Sequence, residues 1–338
     1  MSTISDVAKL AGVSTMTVSR VINNSGYIGQ ATRERVERAI AQLDYVPNAL
    51  ARGLRFKQTK TIALIITDIT NPFFTTVARG VEDAANEQGF SVIFCNTDES
   101  ESEESEYLNM LLQKQVDGIL LVPARSSSES ISLLQSRSVP TVLLDRRVPG
   151  VRADSVLGDS EDGAYQLMRY LLDQGHRRIA VLNGPRAVST AADRVVGYRR
   201  AMAEFGVPVD ESLIFYDSFS QAGGDRMARQ ALEVTPRPTA LFAGNNFIAV
   251  GAFGALRAAG VRVPEEMSLV AFDDLAVPLA MDPFLTVVAQ PAYEMGRRAT
   301  ELLLDRLAEE APDEPREIVF PVSLVVRRSS TPPPHLEL

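Results

Sequence analysis

Residues 14–23 combine small polar side chains and one arginine at the spacing of a short, half-exposed helix. Val18, Val21 and Ile22 recur at i, i+3 and i+4, which predicts a helix with one buried stripe. Ser14 stands where an N-cap residue would accept a hydrogen bond from a backbone amide of the first turn. The side chains left facing solvent are Thr15, Met16, Thr17, Ser19 and Arg20. The major groove of DNA would meet these groups, so the segment is predicted to read DNA.

Two more helices are needed to bury the apolar stripe of that segment. An earlier stripe comprises Val7, Leu10 and Ala11. Residues 31–43 form a third predicted helix, which Thr32 is expected to cap. Its apolar face comprises Val36, Ala39, Ile40 and Leu43. Because stripes this short can bury only one another, residues 1–46 are predicted to form an all-α helix-turn-helix headpiece; the alternative is an ordinary small helical hairpin.

A weak helix is predicted in the hinge that follows, residues 47–59. Pro47 ends the third helix, because proline pushes the preceding residue out of the helical region, and Asn48 can cap a new one. Gly53 costs this new helix about 1 kcal/mol relative to alanine. We therefore expect the hinge helix to be unfolded by itself and to form on DNA.

The charge distribution separates the amino-terminal part from the rest of the chain. Residues 1–60 hold nine Lys and Arg against four Asp and Glu, whereas the whole chain holds 34 against 43 and has a net charge of -9. A basic head on an acidic body is typical of a protein that binds nucleic acid at one end.

Beyond Lys60, short apolar runs alternate with longer amphipathic ones. Eight runs are predicted to be buried parallel strands: 61–67, 91–95, 118–122, 141–145, 178–182, 213–216, 239–243 and 268–272. Near-continuous apolar strands separated by helices indicate doubly wound α/β units. A break near 158–163 and a second crossover near 283–290 indicate two such units. A helix at 291–307 and a closing strand at 318–326 are expected to follow.

In such sheets, ligands bind beyond the carboxyl ends of the strands. The predicted effector-binding residues at those positions, together with one in the second crossover, are Asp68, Phe73, Phe74, Asp145, Arg146, Thr190, Arg194, Phe219, Asn245, Asp273 and Gln290. The same rule also selects Asn71, Arg147, Asp274 and Asn246, the last of which could instead cap the following helix. Aromatic rings can stack on a sugar or a base, while carboxylates, amides and guanidinium groups bind hydroxyls. The set therefore favours a polyol site, with sugars, sugar phosphates and purines left open. Each residue also has an ordinary structural alternative as a helix cap, a strand end or part of the core.

The amino-terminal residues resemble the headpiece and hinge of the LacI/GalR family of bacterial transcription regulators. The segments that carry the resemblance are Asp6-Val-Ala, Ala11-Gly-Val-Ser14, Thr17-Val-Ser-Arg-Val21, Asn23, Thr32-Arg33, Val36, Leu43-Asp-Tyr-Val-Pro-Asn48 and Ala51-Arg-Gly-Leu54. The resemblance implies that Thr15, Met16 and Arg20 read base edges, with Arg20 able to donate twice to a guanine. It also implies that Leu54 wedges into the minor groove. Further implied DNA contacts are Ser5, Ser14, Thr17, Ser19, Asn23, Tyr45, Asn48 and Arg52.

The same resemblance implies a periplasmic-binding-protein-like effector and dimerisation domain over residues 60–328. Its N-lobe would comprise about 60–158 and 289–320, its C-lobe about 159–288 and 321–328, and residues 329–338 would be a tail. Positions matching Arg194, Asn245 and Asp273 commonly hold the effector in this family. The expected partners are pseudo-palindromic double-stranded operator DNA, a small effector and a second copy of the chain.

Other classes of protein fit the sequence less well. Nucleotide-binding glycine loops, a nucleophile elbow and metal-ligand spacing are all missing, which argues against an enzyme and predicts no cofactor and no metal. A secreted sugar carrier would need an export signal and would not need the basic headpiece. No apolar run is long enough to span a membrane, so we expect a cytoplasmic protein. The expected function is transcriptional repression under the control of an effector, most simply a sugar, or alternatively a purine.

Overall fold

The computed structural model describes residues 2–45, 58–125, 128–275 and 283–334. The predicted hinge helix, with Asn48, Arg52, Gly53 and Leu54, lies outside these ranges. Contacts divide the chain into two compact units, one up to Thr59 and one from Lys60 onward.

The first unit is a three-helix headpiece. Its helices are α1 (Ile4–Ala11), α2 (Thr15–Ile22) and α3 (Gln30–Gln42). Val7, Val18 and Val36 come from the three helices and form the centre of their common core. Two details of the prediction are wrong. Leu10 is 47% exposed, and α3 begins after Gly29, one turn before the predicted cap at Thr32.

The second unit alternates strands and helices, as predicted. Its strands are β1 (Thr61–Ile66), β2 (Ser91–Asn96), β3 (Gly118–Leu121), β4 (Thr141–Leu144), β5 (Asp154–Gly158), β6 (Ile179–Asn183), β7 (Ile214–Tyr216), β8 (Ala240–Ala243), β9 (Ser268–Phe272), β10 (Thr286–Ala289), β11 (Glu317–Phe320) and β12 (Ser323–Val325). Its α-helices are α4 (Pro72–Glu87), α5 (Glu101–Lys114), α6 (Glu129–Ser136), α7 (Ser160–Asp173), α8 (Ser189–Glu204), α9 (Gln221–Glu233), α10 (Asn246–Ala258) and α11 (Ala292–Leu307). A single 3-10 turn, Glu211–Leu213, precedes β7.

The strands form two six-stranded sheets. The first has the order β11-β5-β4-β3-β1-β2 and is parallel throughout, and the second has the order β12-β10-β9-β8-β6-β7. Among the strands that the structure describes, only β12 runs antiparallel to its neighbour, β10. Helices cover both faces of each sheet, which is why the central strands are apolar on both sides. The predicted fold class, an all-α headpiece followed by two doubly wound lobes, is confirmed.

Three strand predictions are incomplete. Asp154–Gly158 is a strand that we did not predict, because its first two residues are polar. Thr286–Ala289 lies in the predicted crossover but pairs in parallel with β9. The single closing strand expected at 318–326 is two strands in different sheets, since Pro321 lies between them and cannot donate a ladder hydrogen bond.

Ion pairs to a buried carboxylate hold the last crossover, from α11 to β11, against the first sheet. The Asp154 side chain, fully buried at the start of β5, accepts hydrogen bonds from Arg306 at 2.8 and 3.0 Å and from Arg316 at 2.8 Å. Arg306 lies in the last turn of α11 and Arg316 immediately precedes β11, so the ion pairs hold the last crossover against β5. The carboxyl ends of both sheets then face a common space.

Candidate functional site

A cavity of about 230 Å³ lies between the carboxyl ends of the two sheets. Its lining includes every predicted effector residue except Gln290: Asp68, Phe73, Phe74, Asp145, Arg146, Thr190, Arg194, Phe219, Asn245 and Asp273. We call this space the cleft. Gln290 lies beside it and donates from Nε2 to Asp273 Oδ1 at 2.7 Å. It thus acts on the cleft through Asp273.

Two aspartates project into the cleft from equivalent positions of the two sheets. Asp145 follows β4 and Asp273 follows β9, with φ of 65° and 64°. Each backbone N–H donates at 2.9 Å to the neighbouring strand, at Val156 and Val288 respectively. Left-handed backbone is unfavourable for most residues but accessible to aspartate. The neighbouring strands therefore hold two carboxyl groups in a conformation that favours function over local stability.

Two buried arginines lie beside these aspartates. Arg194 donates from Nη1 to the Gly244 carbonyl at 2.5 Å, and its guanidinium lies 3.9 Å from the Phe272 ring centroid. Arg146 forms two hydrogen bonds to Glu99, at 2.6 and 2.7 Å. Within the described residues, the Nε atoms of both arginines are buried without a hydrogen-bond partner. An unpaired buried donor costs about 1–3 kcal/mol, so the burial of these two atoms opposes local stability.

Burial dominates the electrostatics of the cleft. It raises the pKa of the Asp145 carboxyl to about 6, although Arg146 and Arg194 oppose the shift. It also raises the pKa of Asp273, again against the charge of Arg194. The same desolvation lowers the pKa of the Arg194 guanidinium. A ligand that supplies hydroxyl donors to the two aspartates would stabilise their charged forms.

Aromatic rings form the apolar part of the lining. The rings of Phe73 and Phe74 meet edge to face with centroids 5.0 Å apart. The Phe219 ring lies 5.6 Å from the Arg146 guanidinium carbon and 6.0 Å from that of Arg194. The lining therefore combines stacking surfaces with charged hydrogen-bonding groups.

Two asparagines at helix starts join the two lobes across the cleft. Asn71, which caps α4, and Asn246, the first residue of α10, exchange amide hydrogen bonds at 3.0 and 3.2 Å. Asn245, and not Asn246, caps α10 by accepting from the Ile248 N–H at 2.8 Å. Asn245 therefore both caps α10 and lines the cleft.

Five further lining residues were not predicted. They are Thr67, Asp98, Glu99, Ser218 and Ser220. Asp98 and Glu99 follow the carboxyl end of β2, so the strand-end rule applied to that strand would have found them. Ser218 and Ser220 follow β7, beside the predicted Phe219. Thr67 was taken as the last residue of its strand.

In the headpiece, α2 exposes the residues predicted to read bases. Thr15, Met16 and Arg20 are exposed, Met16 to 51%. Ser14 caps the helix, as predicted, by accepting from the Thr17 N–H at 3.1 Å. No hydrogen bond or ion pair involves the Arg20 side chain within residues 2–45.

Two of the remaining predicted DNA contacts, Asn23 and Tyr45, also stabilise the headpiece fold. Asn23 donates to the Ser19 carbonyl at 2.8 Å and to its hydroxyl at 3.3 Å, which closes the end of α2. Tyr45 is half-buried and packs against the headpiece core. Ser5 is exposed on α1.

Comparison with known proteins agrees with this geometry. Residues 3–48 match the family described as bacterial regulatory proteins, lacI family. Residues 59–328 match the periplasmic binding proteins and sugar binding domain of the LacI family. The chain belongs to the LacI family.

Curated relatives of this LacI-family chain span nearly its whole length. The transcriptional regulator DegA of Bacillus subtilis is 40% identical over 98% of both chains. The transcriptional repressor PurR of Vibrio atlanticus is 37% identical, covering 91% of this chain and 93% of the relative. The predicted resemblance is confirmed, and the protein is a DNA-binding transcriptional repressor under effector control.

Solved structures give the same assignment. The complex of the regulator CelR with cellobiose is 36% identical, with a TM-score of 0.74 over 97% of this chain and all of that one. The Lac repressor dimer bound to operator and an anti-inducer is 27% identical, with a TM-score of 0.85 over 97% and 98% of the two chains. In the described part of this LacI-family chain, no helix is long and apolar enough to cross a membrane.

We expect Asp145→Asn to stabilise the unliganded protein progressively as the pH rises. The folded pKa of about 6 lies above the ordinary value of 3.8. The contribution of this carboxyl group to stability is therefore present below pH 3.8 and is lost as the pH rises through 6. Asparagine cannot ionise and tolerates the left-handed backbone. The free energy of unfolding of Asp145→Asn, measured relative to wild type, should increase by roughly 2–3 kcal/mol between about pH 4 and 7.5.

Denaturant unfolding of both proteins at these two pH values measures this gain. Asp313→Asn changes an exposed aspartate outside the cleft and serves as the control. A difference between Asp145→Asn and wild type that does not vary with pH would contradict the assigned pKa.

Proposed function

We propose that this LacI-family repressor binds a polyhydroxylated effector, a sugar or sugar derivative, in the cleft. The observation that carries the proposal is the convergence of Asp145 and Asp273, one from each sheet, on a space that Arg146 and Arg194 also line. Neighbouring hydroxyls of a sugar donate to carboxylates and accept from guanidinium N–H groups at the same time. Phe73, Phe74 and Phe219 offer apolar surface to the ring.

The proposed domains follow from the same assignment. Residues 1–46 would form the headpiece, 47–59 the hinge and 60–328 the effector and dimerisation domain. The N-lobe would comprise about 60–158 and 289–320, and the C-lobe about 159–288 and 321–328. The strand membership of the two sheets supports this division.

We also propose that the protein acts as a homodimer on pseudo-palindromic operator DNA in the cytoplasm. One headpiece presents one reading helix, which suits one half-site. The residues proposed to contact DNA are Ser5, Ser14, Thr15, Met16, Thr17, Ser19, Arg20, Asn23, Tyr45, Asn48, Arg52 and Leu54. The Lac repressor dimer supports this arrangement by similarity.

A purine is the second candidate effector. The three phenylalanines of the cleft could stack on a purine base, and Asn245 could pair with its edge.

A thermal-shift screen of the purified full chain distinguishes the two candidates. The panel contains monosaccharides, cellobiose, sugar phosphates and purine bases. We expect a carbohydrate to raise the unfolding temperature in a concentration-dependent way, because a ligand that binds only the folded state stabilises it. The same compound should change operator affinity in fluorescence anisotropy. Stabilisation by purine bases alone would establish the second candidate instead.

A further inference from the structure

Glu99 occupies the hydrogen-bonding fork of Arg146 at the wall of the cleft. Its two carboxylate oxygens accept from Nη1 at 2.7 Å and from Nη2 at 2.6 Å. Nη1 also donates to the carbonyls of Pro123 at 2.9 Å and Ala124 at 3.3 Å. In the part of the chain that the structure describes, Nε is the one guanidinium nitrogen of Arg146 without a hydrogen-bond partner, and it lies 3.7 Å from Asp145 Oδ2. Glu99 therefore fills the Nη1–Nη2 edge, one of the two edges with which a guanidinium binds phosphates and carboxylates. The other edge, Nε–Nη2, has its Nε buried away from the cleft.

The loop that carries Glu99 has an unfavourable backbone. Asp98 and Glu99 are consecutive residues with φ of 47° and 61°. A left-handed conformation costs a non-glycine residue on the order of 1–3 kcal/mol, and glutamate has no local hydrogen bond that eases it. Asn96 donates to Asp98 Oδ1 at 2.7 Å, and Arg146 holds Glu99. The strained backbone of this loop therefore places the Glu99 carboxylate against the Arg146 guanidinium.

The remaining charge of the cleft is unfavourable for anions. The acidic lining residues are Asp68, Asp98, Glu99, Asp145 and Asp273, and the basic ones are Arg146 and Arg194. One nitrogen of Arg194, Nη1, already donates a hydrogen bond to the Gly244 carbonyl. An incoming phosphate would meet excess negative charge in a low-dielectric space, which the partly bonded guanidinium of Arg194 offsets only in part.

We propose that Glu99 is a specificity-determining residue that restricts the effector to uncharged molecules. It does so by neutralising Arg146 and filling its fork. Of the three ligand classes that the sequence left open, this excludes sugar phosphates and keeps neutral sugars and purine bases. The inference rests on the proposed function, because it concerns the ligand of the same cleft.

Inorganic phosphate is a probe that does not depend on knowing the effector. Glu99→Gln removes the charge and keeps one hydrogen-bond acceptor for Arg146. We expect this variant to bind phosphate at least tenfold more tightly than wild type, measured by thermal shift at constant ionic strength. Glu99→Gly suits the left-handed backbone, so it removes the carboxylate without added strain if the glutamine variant fails to fold.

Two further variants locate the gain in phosphate affinity. Glu103→Gln makes the same charge change at an exposed position of α5 and should bind phosphate like wild type, including any background binding by the basic headpiece. The double variant Glu99→Gln with Arg146→Gln keeps an amide pair and should lose the gain. An equal gain in Glu103→Gln, a gain that survives in the double variant, or no gain in either Glu99 variant would overturn the inference. The absence of any stabilising sugar in the panel would instead count against the proposed function.

Discussion

We expect Arg20→Ala to abolish specific operator binding while leaving the headpiece folded. Arg20 is exposed on α2, and the structure assigns its side chain no hydrogen bond within residues 2–45. Its guanidinium is free to donate two hydrogen bonds to a guanine. Each such bidentate contact contributes about 1–3 kcal/mol of discrimination, so the loss is roughly 5- to 150-fold in each half-site.

Fluorescence anisotropy with specific and scrambled DNA at fixed salt measures this loss. Arg35→Ala is the matched control, because it removes the same charge from an exposed position of α3. Any loss of affinity in Arg35→Ala should be the same for specific and for scrambled DNA. Undiminished discrimination by Arg20→Ala would mean that another element reads the operator.

Asp273→Asn is expected to remove the effector response while preserving operator binding. The substitution keeps the residue type that tolerates φ of 64° and keeps an oxygen that can accept from Gln290. It removes the charge that would accept hydrogen bonds from the ligand. Hydrogen bonds to charged groups contribute about 1.5–3 kcal/mol, so effector affinity should fall roughly 10- to 150-fold.

The loss of response follows because an effector shifts a conformational equilibrium only by its differential affinity for the two states. Calorimetry with the compound found in the thermal-shift screen gives the affinity, and anisotropy with and without that compound gives the response. Asp313→Asn, an exposed substitution outside the cleft, should behave as wild type in both measurements. Unchanged calorimetric affinity in Asp273→Asn would place the effector elsewhere.

The sequence by itself determined most of the elements and most of the cleft. Helical periodicity and the cap at Ser14 fixed α2, because both signals are local. The apolar strands fixed the doubly wound class, and the carboxyl ends of these strands then indicated Asp145 and Asp273. That rule works from sequence because parallel strands must all end at the same edge of a sheet.

Only the tertiary structure decided which of these residues act together. Asn71 and Asn246 are 175 positions apart and meet across two lobes. The strand at 286–289 lies in the predicted crossover, and its pairing with β9 depends on a long-range register. Glu99 and Arg146 are 47 positions apart. Their contact requires left-handed backbone at Asp98 and Glu99. Periodicity records which face of an element is buried, but the partner of a buried charge is fixed by packing between distant elements.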